Sequence, residues 1–113
     1  MQPPGIYLFS NTDLTKMVSY NWDRFTGDNK VSLAPCAVGC VILTADGQGT
    51  ADITLYDGES TSDPEIIKIL TGATNTKVIR FQPPLITHRG LYLDVGSNVD
   101  SVLMQYERHK ETA

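Results

Sequence analysis

The chain is short of charge, of cysteine and of long apolar runs, and each shortage removes a class of protein. Charged residues make up 19% of its 113 residues, below the ~25% usual for a globular domain. Among them 13 are acidic and 9 basic, giving a formal net charge of −4. That balance argues against a nucleic-acid groove, which needs a basic footprint, and against a polybasic membrane-binding surface. No apolar run approaches the ~20 residues of a membrane-spanning helix; the longest, around Cys40 to Leu43, has the length of a strand. Met1-Gln2-Pro3-Pro4-Gly5 has neither a basic n-region nor a long apolar stretch, so it does not read as a signal peptide. The expected folding compartment is therefore a reducing cytosol. Two cysteines are too few for a disulfide scaffold. The length suits one domain, and such a domain can bury roughly 65% of the surface its unfolded chain exposes.

What is present is a turn-rich text of short β-branched runs. From Val31 the pattern is regular. Cys36 to Thr44 is apolar on both alternating faces, as in a central buried strand. Its alternation sets Val38, Cys40 and Ile42 on one face and Val41 and Leu43 on the other. Ala45-Asp46-Gly47-Gln48-Gly49 is a turn cluster. Thr50 to Tyr56 then alternates cleanly, with Ala51, Ile53 and Leu55 on one side, and predicts a hairpin with the preceding strand. Asp57-Gly58 opens a polar loop. Glu65 to Leu70 reads as a strand on length, although Asp63-Pro64 also resembles a helix start. Lys77 to Phe81 sets Val78 and Arg80 opposite Ile79 and Phe81, and Pro83-Pro84 is expected to end it. Gly90 to Val95 and Asn98 to Tyr106 complete the set, and the charged tail from Glu107 is expected to fray. The overall expectation is all-β: an antiparallel β-sandwich, jelly-roll-like or a small barrel, over residues 31–113. Residues 1–30 read as an extended N-terminal arm with strand-like pieces at Ile6–Phe9 and Met17–Tyr20.

The residues that carry chemistry elsewhere are few and scattered. Cys36 and Cys40 on one strand share a face but stand ~13 Å apart along the axis, too far for a disulfide or one metal. They read as buried strand cysteines, since structural zinc wants four ligands and His88 and His109 lack partner spacing. No Gly-x-Ser-x-Gly elbow accompanies His88, which reads as a loop histidine. Asp57, Glu59, Asp63 and Glu65 lie in one loop, but without the spacing or flanking helices of an EF-hand. No phosphate loop or dinucleotide fingerprint is present. Neither a catalytic residue, a metal nor a cofactor is expected.

The aromatic set Tyr7, Phe9, Tyr20, Trp22 and Phe25 is the more informative feature. Disordered tails are poor in such rings. Three roles fit them: completing the domain's own core, anchoring a neighbouring chain, or stacking on the flat faces of a sugar.

From about Pro35 to Tyr106 the chain resembles a group of small phage virion proteins. The resemblance rests on CVILTADGQG, TADITLYDGES, PEIIKIL, KVIRFQPP, THRGLYLDVGSN and DSVLMQYE, with Asp57-Gly58 and Gly90-Leu91-Tyr92 its most telling parts. It covers roughly two-thirds of the chain and no part of residues 1–30. It implies a non-enzymatic structural protein of a virion assembled in the host cytoplasm, a capsid decoration or cement protein of β-sandwich fold. The implied partners are the major capsid protein and copies of itself, as an oligomer about a symmetry axis; the aromatics of the N-terminal arm, especially Tyr7, Phe9, Trp22 and Phe25, make that arm the expected contact element. A carbohydrate-binding module or a tail or fibre receptor-binding piece shares the fold and remains the alternative. A small hydrolase is the third expectation, and it lacks a visible site.

Overall fold

A computed structural model of the chain describes residues 21–108. Eight strands follow one another: β1 (Asn21–Phe25), β2 (Asn29–Ser32), β3 (Cys36–Ala45), β4 (Ala51–Tyr56), β5 (Glu65–Thr71), β6 (Thr76–Ile86), β7 (Leu91–Val95) and β8 (Val99–Arg108). They form two four-stranded antiparallel sheets, ordered β1-β8-β3-β6 and β2-β7-β4-β5. Those two orders are the strand orders of a jelly roll, a two-sheet form of antiparallel sandwich. The all-β sandwich expected from alternation is the fold. Tyr7, Phe9, Tyr20 and the strand-like pieces at Ile6–Phe9 and Met17–Tyr20 lie outside the described residues.

The core lies between the sheets. Val38, Val41, Leu43, Val102, Met104 and Tyr106 come from the first sheet, and Ala51, Ile53, Leu55, Ile69, Leu91 and Leu93 from the second. On β4 the inward set is the one that period-two alternation picks out. Glu65–Leu70 is strand, as its length demands, and sits at the open end of the second sheet.

Four local expectations give way to tertiary packing. First, β3 and β4 do not make a hairpin. They lie in opposite sheets, so the turn cluster at Gly47 and Gly49 carries the chain across the sandwich. Two strands that each bury an apolar face satisfy both faces by meeting across the core, and strand text alone does not distinguish that from pairing side by side. Second, β3 does not keep one alternation. The register shifts between Val38 and Cys40 against both β6 and β8. This bulge inserts a residue at Gly39 and reverses the faces beyond it. Cys36, Val38, Val41 and Leu43 point inward, while Cys40 stands outside the core cluster.

Third, β6 runs through Pro83-Pro84 to Ile86, with a cis Gln82-Pro83 bond. The prolines fall in the gap between the Cys40–Arg80 and Val38–Leu85 pairings. This is an edge strand at a bulge, the setting that tolerates a missing N–H. Fourth, Glu107 and Arg108 continue β8 opposite Ala37 and Cys36. The Arg108 guanidinium donates to the Val31 carbonyl at 3.0 Å and lies 5.8 Å from the Tyr106 ring centroid, which holds the strand end in place.

Residues 21–30, read from sequence within the arm, contribute to both sheets. Asn21–Phe25 pairs with β8 from Asn21–Tyr106 to Phe25–Val102. Asn29 and Lys30 pair with β7. β1 is polar because it is an edge strand with one face outward, which hides its period in composition.

Candidate binding surface

Strand register lays the outer face of the first sheet out in two rows. One row reads Trp22, Gln105, Cys40, Arg80 across β1, β8, β3 and β6. The next reads Arg24, Leu103, Ile42, Val78 across the same strands. Each step between neighbouring strands is ~4.8 Å, so a row spans about 14 Å. Trp22 and Val78 remain 48% and 50% exposed, whereas Cys40 is 5% exposed and forms the floor. The bulge at Gly39 makes this arrangement. It turns the Cys40 side chain outward and leaves no Cβ beside it. A groove of about 510 Å³ results, flanked by Trp22, Val78, Arg80, Pro84 and Gln105.

The groove's electrostatics are simple. Among the described residues Arg80 is its sole charged lining residue. Arg24, at the opposite corner, is 3.6 Å from the Asp100 carboxylate. Among the described residues Arg80 has no such partner.

The outer face of the second sheet carries more charge, and Leu70, paired with Asp52, is 49% exposed there. Asp94, Thr54 and Lys68 share one row, and Tyr92 and Tyr56 the next. The Tyr56 and Tyr92 rings are tilted at 54° with centroids 6.4 Å apart. Asp28 accepts from the Val95 N–H at 2.7 Å, and Asp52 accepts from the Ser97 N–H at 3.1 Å. Burial, reinforced by the charges of Asp28 and Asp52, pushes the Asp94 carboxyl up from its ordinary value.

The sequence-predicted residues distribute as follows. Of the aromatic set, Phe25 packs against the core and Trp22 faces outward on the groove. Cys36 and Cys40 are both free thiols on opposite faces of β3, rather than on the shared face expected before the bulge was known. Cys36 is held by Thr87. The Cys36 N–H donates to Thr87 Oγ1 at 2.9 Å, and the Thr87 N–H donates to the Cys36 carbonyl at 2.8 Å. Burial pushes the Cys36 thiol up, partly offset by the Thr87 hydroxyl and the Arg108 charge. Gln105, Leu103, Ile42, Val78 and Arg80 were not singled out in the sequence. Their signal was the apolar run on both faces of β3 and the alternation that sets Val78 and Arg80 opposite Ile79 and Phe81.

The acidic loop after β4 is architectural. Asp57 accepts from the N–H groups of His88 at 3.0 Å and Arg89 at 2.8 Å, and more distantly from Gly90 at 3.4 Å. Asp63 accepts from the Glu59 N–H at 2.7 Å and the Ser60 N–H at 3.2 Å. Gly90 packs so closely that an added Cβ would stand 2.6 Å from the Ser32 carbonyl oxygen and 3.0 Å from that of Gly58. The two most telling pieces of the sequence pattern, Asp57-Gly58 and Gly90-Leu91-Tyr92, are therefore two sides of one joint. Among the described residues, no cluster of three or more His, Cys, Asp or Glu side chains is arranged to hold a metal ion, and no helix is long and apolar enough to cross a membrane.

Compared with known proteins, the chain matches no family model, no curated protein and no solved structure.

Proposed function

We propose that the chain is a non-enzymatic structural protein of a phage virion, a capsid decoration or cement module that docks on the shell through the outer face of β1-β8-β3-β6. The observation that carries this reading is the contrast between the two outer faces. One presents a half-exposed tryptophan, Val78 and Ile42 around a groove with a single charged side chain among the described residues; the other carries Asp28, Asp52, Asp94 and Lys68 alongside Tyr56, Tyr92 and the 49% exposed Leu70. A module with one grooved face and one charge-rich face has an inside and an outside, as a shell-bound protein needs. Trp is the residue type most enriched among interface anchors. Jelly rolls serve in viral capsids and in lectins, and fold by itself separates neither. The major capsid protein is the partner in this reading, with further copies of the chain around a symmetry axis.

The test is co-sedimentation of the purified chain with particles of its source virus stripped of it, alongside mass-spectrometric copy number per major capsid chain. A copy ratio near a simple fraction, and binding weakened on the order of tenfold or more by Trp22→Ala, are expected. A chain absent from purified particles would overturn the reading. The half-exposed indole beside the Gln105 amide favours a saccharide as the second reading, and it is read out by Trp22 fluorescence, since the chain has one tryptophan.

A further inference from the structure

We infer that the shell segment seated on this face carries a carboxylate beside an apolar side chain, and that Arg80 is the residue that selects it. This rests on the docking reading above and names the chemistry of the partner.

The reasoning starts from desolvation. Arg80 lies in the same row as Trp22, three strand spacings away. A partner that covers the half-exposed indole and Val78 also covers the guanidinium. Burying an unpaired cation costs several kcal/mol, on the order given for any ion removed from water. A hydrogen-bonded carboxylate offsets that cost, and a planar guanidinium receives it in bidentate geometry. Among the described residues no carboxylate lies within ion-pair distance of Arg80. Arg24 is paired with Asp100 and Arg89 with Asp63, whereas Arg80 is the one charge lining the groove among the described residues. A lone cation in an apolar groove of a chain with net charge −4 is complementary to an anion.

The same lining favours a peptide over an acidic sugar. Across the groove from the indole lie Ile42 on β3 and, next to Arg80 on β6, Val78 and Pro84, which offer methyl and methylene contact. Among the described side chains the Gln82 and Gln105 amides, Arg80 and the Trp22 indole N–H can hydrogen-bond there, with the Cys40 thiol a weak donor, a short set for a densely hydroxylated ligand. Across the ~14 Å row, one end accepts an apolar side chain and the other a carboxylate. An extended acidic and apolar segment of the shell protein meets both.

The test uses the full-length chain and stripped source particles. Arg80→Glu is expected to weaken co-sedimentation on the order of tenfold or more, with Arg80→Lys retaining most of it and the same thermal melting temperature for all three proteins. On the bound Arg80→Lys variant, carbodiimide joins the new amine to a carboxylate in contact with it. The expected product is a cross-link, absent with wild type, to an Asp or Glu of the shell protein flanked by apolar residues. Wild-type binding with Arg80→Glu equally tight and no new cross-link would overturn the carboxylate inference and leave the docking reading standing. Failure of wild type to bind would overturn the docking reading itself. A saturating Trp22 fluorescence change with tetragalacturonate, lost in Arg80→Glu and without particle binding, would replace the peptide by an acidic saccharide.

Discussion

Tyr106 buries its ring in the core at 2% exposure and donates its hydroxyl proton to the Asp23 carboxylate on β1. Edge strand and central strand are thereby tied by a side-chain bond as well as by the backbone ladder that pairs Asn21 with Tyr106 and Asp23 with Met104. Because Trp22 sits between those two β1 positions, the bond also holds the indole over the groove.

Tyr106→Phe is expected to destabilise the domain by about 1.5–3 kcal/mol, the range for a hydrogen bond to a charged group. Burial, then the Asp23 bond and charge, push the tyrosine up to about 12. A group whose folded value is raised stabilises the protein below its unfolded value of about 10 and loses that contribution as pH rises. Wild-type stability should therefore fall between about pH 10 and 12, and the fall should shrink in the Phe variant. Urea unfolding at a series of alkaline pH values measures both.

Asp57→Asn is expected to cost about 1.5–3 kcal/mol, since a charged acceptor of several N–H bonds is replaced by a neutral one. Burial raises the Asp57 carboxyl, but the N–H groups of Arg89, His88 and Gly90 outweigh it, and the net shift is downward. A lowered folded value contributes stability above the unfolded value of about 3.9 and loses it as pH falls below that. The wild-type chain should lose more stability than the Asn variant on acidification from pH 5 to 2, read by denaturant midpoints. Equal losses would remove the joint's electrostatic basis.

Gly90→Ala is expected to destabilise by about 1–3 kcal/mol, the range for forced overpacking, because the new methyl meets two backbone carbonyl oxygens rather than a side chain that can move. Gly27→Ala is the control, since an added Cβ there has nothing within 4 Å. Thermal melting of the two variants should separate them clearly.

Much of this was legible in advance because it is local. Ala51, Ile53 and Leu55 alternate on β4, Val102, Met104 and Tyr106 on β8, and in each case the apolar set turned inward. Side-chain period along a strand follows from the pleat alone, so text suffices to find it. Trp22 was visible as an aromatic but not as the edge of a groove, because its neighbours Gln105, Cys40 and Arg80 lie far away in sequence.

By itself the sequence determined that β3, β4, β5, β7 and β8 are strands and which side of β4 turns inward, since backbone geometry converts alternation into faces over a few residues. Only the tertiary structure decided which sheet each strand joined, that the Asn21–Phe25 edge paired with β8, and that Gly39 bulged and turned Cys40 away from Cys36. Those outcomes depend on pairings across tens of residues, where many partners offer the same backbone hydrogen bonds. The choice falls to whichever arrangement buries the most apolar surface at once, and the outward row of Trp22, Gln105, Cys40 and Arg80 is a product of that choice.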